Sequence, residues 1–418
     1  MRRFSKFLIQ ACVCLFVTTL TFAQMAHTSG GAMLTASASE NIARPTVMPV
    51  SQINEQLAAA KHTLQTQNFN TSAVQLAAFN STTGQMNVLS IDKASFLTKG
   101  GDYQMVSNLG ANLRVRIVRA NGVNTSVIVS DAATRRALYP LMVRYPIEKS
   151  GNVQPAYYVS AHPALVSEEL AASGKTYVSS MLNQAAQSLA ADGIYIPADL
   201  IEVASHLVIV EHTDHKRFRE EDRAEIYPEV LSLYALNRGD TYRYSVSSAG
   251  AGGMIQMIPR TYAAIREQHP NVTLEPDFVS GMQNHANALK AMLLYINDTW
   301  EFLQSQDEVK QALSSGTATK IELLAAGYNS NPYRLPKYLA NGGSGWRSLI
   351  PAETQMYLSI YQSVDSYVEF DRAATSIGDA TSFTISPSAS LANEATATLI
   401  SWVGNLLPRP SLPSISVR

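Results

Sequence analysis

Leu113-Arg114-Val115-Arg116-Ile117-Val118-Arg119 alternates apolar and mostly basic side chains, Asn121-Gly122 follows, and an apolar run resumes over residues 125–129. A period of two sends successive side chains to opposite faces of a strand, and Asn-Gly accepts the left-handed backbone of a type I′ turn. The stretch therefore predicts a β-hairpin. Residues 72–78, 85–90, 138–145 and 156–160 carry weaker strand patterns, so residues 70–162 read as a small antiparallel β-containing N-terminal domain. Arg114, Arg116 and Arg119 are expected on its solvated face, the face through which it would meet a cell-envelope protein partner.

Past Pro163 the period changes. Residues 164–191, 197–213, 225–236, 259–268, 281–302 and 320–328 are rich in Ala, Leu and Gln at helical spacing, which predicts an all-α domain over 163–370 and an α+β chain. The 418 residues are 46% hydrophobic and 16% charged, enough to bury full cores and too apolar for a disordered chain. Thirty-two Lys and Arg balance thirty-three Asp and Glu, so the broad basic footprint of a nucleic-acid binder is absent from the composition.

Both ends read differently from the middle. Arg2, Arg3 and Lys6 precede an apolar run over residues 7–20, and Thr21-Phe22-Ala23 offers small residues where a leader peptidase cuts, so residues 1–23 are expected to be a signal peptide. Cys12 and Cys14 both lie inside it, which leaves the exported chain without a thiol. Residues 24–69 read as a mobile lead with a short helical piece at 55–65. Residues 371–418 read as a Ser/Thr/Pro-rich tail with one apolar patch at 399–407. The expected address is the periplasm, with secretion as the alternative.

The most distinctive string is Ser247-Ser248-Ala249-Gly250-Ala251-Gly252-Gly253-Met254-Ile255-Gln256-Met257-Ile258-Pro259-Arg260-Thr261-Tyr262. Its small residues allow backbone to approach a bulky ligand, the Met/Ile run supplies an anchor, and Pro259 suits the first turn of a helix. Phosphate is disfavoured, because no Lys-Ser/Thr follows the glycines. Gln256, alone in an apolar segment, must find partners for its amide.

This string resembles the Ser-x-x-Gly-Ala-x-Gly-Leu-Met-Gln-x-Met-Pro-x-Thr signature of the soluble lytic transglycosylases, the goose-lysozyme-like enzymes that cleave bacterial peptidoglycan. Ala326-Gly327-Tyr328-Asn329-Ser330 is similar to the family's Ala-Tyr-Asn-x-Gly block, and Pro351-Ala352-Glu353-Thr354-Gln355-Met356-Tyr357 to its Glu-Thr-x-x-Tyr block; Asp277 opens a more loosely similar segment. The resemblance covers roughly residues 195–365. It implies an all-α lysozyme-like catalytic domain and a single catalytic glutamate at the end of a buried helix.

Glu211 is the favoured position. Ile201, Ala204, Leu207 and Val208 line the helix face that Glu211 continues, so its carboxyl would emerge against an apolar wall and stay protonated. Glu229 is the rival. His212 follows Glu211 where the family generally has serine, and thirty-six positions separate Glu211 from Ser247, a gap that the charge-dense residues 216–223 would fill as a solvated insert. The resemblance further implies that Ser247, Gln256, Tyr328 and Asn329 contact the substrate. Glu353 is expected to serve helix packing.

The expected activity is peptidoglycan lytic transglycosylase, cutting the MurNAc-GlcNAc bond with one glutamate as acid and then base and leaving 1,6-anhydroMurNAc ends. A lysozyme-type hydrolase and a non-catalytic peptidoglycan-binding scaffold are the alternatives. The expected partners are peptidoglycan glycan strands. No cofactor and no metal are expected: His206, Glu211, His212, Asp214 and His215 cluster in sequence without the H-E-x-x-H spacing, and no G-x-S-x-G elbow occurs.

Overall fold

The computed structural model describes residues 47–149, 151–239, 241 and 250–370, all within one compact unit. The expected signal peptide, the start of the lead, Ser247 and the tail from residue 371 lie outside the described residues. Among the described residues no helix is long and apolar enough to cross a membrane.

The chain is mixed α+β with an antiparallel sheet. Its strands are β1 (Ala73–Asn80), β2 (Gln85–Asp92), β3 (Asp102–Val106), β4 (Asn112–Arg119), β5 (Ser126–Asp131), β6 (Ala137–Lys149) and β7 (Asn152–Tyr158). They lie in the order β2-β1-β6-β5-β4-β3, and β7 pairs with β6 alone. The 113–119 stretch forms β4 as its alternation demands, with Leu113, Val115 and Ile117 buried and Arg116 exposed. Two details differ from expectation. The connection is a 3-10 turn over Gly122–Asn124 rather than a two-residue type I′ turn. Arg119 is not on the solvated face: it shares the parity of the buried Leu113, Val115 and Ile117, so period two turns it inward, where it reaches the helical layer. Arg114 is also engaged, forked onto Asp102 of the neighbouring strand at 2.7–2.8 Å.

The helices are α1 (Val50–Thr66), α2 (Lys93–Phe96), α3 (Glu168–Ala191), α4 (Ala198–Val210), α5 (His215–Glu220), α6 (Arg223–Leu236), α7 (Pro259–Gln268), α8 (Phe278–Gln283), α9 (His285–Ser305), α10 (Asp307–Ser314), α11 (Lys320–Asn329), α12 (Leu335–Gly342) and α13 (Ala352–Tyr367). The expected helical piece at 55–65 starts five residues earlier. It is docked, burying Ile53, Leu57, Ala60 and Leu64, one helix face, among sheet residues. One continuous apolar cluster runs from the sheet residues Val74, Leu76 and Val115 to the helical residues Val208, Leu289 and Ile360. The α3–α6 crossing is close enough to require glycine: a Cβ on Gly174 would lie 1.9 Å from the Leu231 carbonyl oxygen. The expected solvated insert is instead the short α5, with Phe218 buried and Arg217 paired to both Glu221 and Glu229.

Candidate active site

α4 ends at Glu211. Every residue from Val203 to Val210 is buried, so the helix is enclosed all round and delivers the carboxyl at its end to the edge of the core. The Glu211 side chain meets one hydroxyl, that of Tyr357 on α13, which donates to Oε1 at 2.6 Å; Oε2 has no partner among the described residues. Burial pushes the Glu211 carboxyl up to about 8; the Tyr357 hydrogen bond opposes the rise and the like charge of Glu353 adds to it. Tyr234, Tyr328 and Tyr357 all feel the Glu211 charge, and burial holds their phenols far above their ordinary range, so each remains a neutral O–H.

Two of those phenols hold backbone. The Tyr328 hydroxyl donates to the Ile255 carbonyl at 2.8 Å, and that of Tyr234 donates to the Val208 carbonyl at the end of α4. His212 Nε2 lies 2.9 Å from the Met254 carbonyl and donates to it; burial drives the ring down to about 4, so the imidazole is neutral near pH 7. The residue that departs from the family pattern thus ties the end of α4 to the turn over residues 253–256.

That turn is tightly built. Gly252 and Met257 bridge its base, Gly253 and Gln256 both have positive φ (70° and 46°), and the Gln256 amide closes on the Gly253 carbonyl at 2.8 Å. A Cβ on Gly253 would lie 2.3 Å from the Met282 carbonyl oxygen, so only glycine lets the turn sit against α8. A left-handed glutamine is an uncommon conformation that the surrounding contacts must maintain.

Asn329 ends α11, and its Oδ1 accepts from Thr354 Oγ1 at 2.8 Å, leaving its amide N–H groups without a partner among the described residues. Thr354 and Tyr357 lie one turn apart on α13, so that helix fixes Asn329 and Glu211 together. The structure therefore brings Glu211, Gln256, Tyr328 and Asn329 into one neighbourhood, while Ser247 lies outside the described residues. Glu353, expected to serve packing, occupies the exposed first turn of α13 and acts on Glu211 through its charge. The sequence reading missed the roles of Tyr357, Thr354, Tyr234 and His212. The first two stand in a quoted block, but no spacing rule points from residue 357 to residue 211.

Glu229, the rival, faces two guanidinium groups: Arg119 Nη1 at 2.9 Å and Arg217 Nη1 at 2.8 Å. Its carboxylate oxygen is taken up by these two ion pairs, which join α6 to β4 and α5. The histidine cluster also separates. His206 turns to the Val368 carbonyl and to Asp365, away from Glu211, and among the described residues no three metal-ligating side chains converge. No family model, no curated protein and no solved structure matches this chain.

Proposed function

We propose that this chain is a lytic transglycosylase acting on peptidoglycan glycan strands, with the helices from α4 to α13 in a lysozyme-like arrangement. The observation that carries the proposal is the Glu211 carboxyl, raised to about 8 by burial at the end of α4, with one oxygen held by Tyr357 and the other unpartnered among the described residues. An acid of that kind carries its proton at neutral pH, as protonation of a glycosidic oxygen requires.

Glu211 gives its proton to the leaving oxygen as the glycosidic bond breaks. The resulting carboxylate then takes the proton of the C6 hydroxyl of the same N-acetylmuramic acid, whose oxygen closes on the anomeric carbon. A 1,6-anhydro ring forms, no water is consumed, and Glu211 returns protonated. A single carboxyl suffices because the second nucleophile belongs to the sugar. The amide N–H groups of Asn329 are free to meet the glycan, and Gln256 and Tyr328 hold the turn on which it would lie.

Purified peptidoglycan digested with the wild type, Glu211→Gln and Glu229→Gln tests the reading. The expected products are anhydro-muropeptides, one water lighter than hydrolysed ones, released by the wild type and by Glu229→Gln and absent with Glu211→Gln. Products heavier by one water would indicate a lysozyme-type hydrolase, and binding without release would indicate a scaffold.

A further inference from the structure

β7 is an edge strand, and its free side is prepared for a partner. It runs antiparallel to β6 with Pro146 opposite Pro155. Neither proline can donate, so that rung carries no hydrogen bonds, and alternation then turns the main-chain groups of Val153, Pro155 and Tyr157 away from β6. Val159 continues the series just past the strand. Its N–H donates to the Asn237 Oδ1 at 2.9 Å and its C=O accepts from the Asn237 Nδ2 at 2.7 Å, the pair of bonds that a neighbouring strand would make. One side-chain amide thus fills one rung of the outer edge. The rung at Tyr157 and the carbonyl at Pro155 are unfilled among the described residues.

A cavity of about 560 Å³ opens along this edge, lined by the consecutive residues 154–159. Its deep wall is apolar, with Val123, Met142 and Leu236 buried. Among the described residues its charged lining is Lys61 and Arg238, with no acidic side chain. Both cations stand at the Tyr157 end. Lys61 lies 6.0 Å from the Tyr157 ring centroid, and Arg238, adjacent to Asn237, is held by Ser173 and by the Tyr177 ring. Neither has an acidic partner among the described residues. The half-buried Gln283 amide is equally unpartnered among them.

We propose that this edge binds the carboxyl-terminal segment of a partner polypeptide, which adds to β7 as an extra strand with its terminal carboxylate between Lys61 and Arg238. Main-chain pairing at Pro155 and Tyr157 supplies the register, the apolar wall takes alternate side chains, and the two cations select the free carboxylate. The site lies apart from Glu211 and does not rest on the glycan reading.

Fluorescence anisotropy of the full chain with an amino-terminally labelled Ala-Val-Ala-Val peptide tests it. Saturable binding is expected, weakened at least about tenfold when the peptide carboxylate is amidated and likewise in Lys61→Gln/Arg238→Gln. Tyr157→Pro removes the outward N–H and is expected to abolish binding; the surface double variant keeps the test decisive if that proline unfolds the hairpin. Absence of binding overturns the proposal, as does equal affinity for acid and amide or unchanged affinity in the double variant. A muramyl stem pentapeptide, whose D-residues cannot continue the ladder, binding more tightly than the all-L peptide would also overturn it.

Discussion

Glu211 and Glu229 stand on neighbouring helices of one core, and their surroundings give them opposite chemistry. Glu211 meets an apolar helix end, neutral phenols and one hydrogen bond; Glu229 meets two guanidinium groups. The first environment penalises the anion, and the second engages the carboxylate in two ion pairs. What separates the two carboxyls is the kind of donor each meets, a single neutral phenol at Glu211 and two guanidinium groups at Glu229.

The largest expected effect separates the two sites outright. Glu211→Gln should lower the rate of glycan cleavage by about a thousandfold or more, within the range attributed to a positioned general acid, without lowering the melting temperature. Glu229→Gln should leave turnover within about twofold. A comparable loss of activity from Glu229→Gln would erase the distinction.

Tyr357→Phe comes next and acts on pH. Cleavage by a protonated Glu211 is expected to fall as pH rises through about 8. The phenol stabilises the carboxylate, so removing it should move this descending limb upward by about one unit, the equivalent of a hydrogen bond to a charged group of about 1.5 kcal/mol. A limb that stays in place or moves down, read from kcat/KM against pH, would mean the hydroxyl does not favour the anion.

Stability distinguishes the sites in the other direction. Glu229→Gln leaves Arg119 with no carboxylate and Arg217 with Glu221 alone, and a cost of about 1–2 kcal/mol is expected in urea unfolding, discounted because all three side chains keep some solvent exposure. A second stability effect is a slope in pH. The folded-state pKa of Glu211, about 8, lies above its unfolded value of 4.5, so the folded state retains a proton that the unfolded state releases. The contribution of Glu211 to stability is therefore full below about 4.5 and is lost as pH rises towards 8. Glu211→Gln should flatten that fall, and an unchanged slope would show that the carboxyl is not buried in solution.

Much of this was readable in the chain because it rests on local period. The β4–β5 hairpin and the start of α7 at Pro259 follow from alternation and proline, while α4 ends at Val210, three residues before the expected helix end at 213. β3 was not readable, being five residues of half-exposed edge strand, and neither was α13, whose buried positions include Thr354 and two of its three tyrosines, Tyr357 and Tyr361, which point inward only because of what they meet. Arg119 was grouped with Arg114 and Arg116 by its charge, although period two places it with Leu113, Val115 and Ile117 on the inward face. The Tyr357–Glu211 bond joins residues 146 positions apart and exists only once α13 lies beside α4. Local patterns singled out Glu211, whereas its hydrogen bonding depends on packing between distant elements.

Thr354 and Tyr357 project from successive turns of one rigid rod, which gives α13 the character of a common shaft: its rotation or sliding moves the hold on Asn329 and the hold on Glu211 in the same motion. Proton affinity at Glu211 and orientation of the Asn329 amide are in this way geared to each other. A substitution anywhere along the seat of that shaft, even far from residues 211 and 329, would change both together.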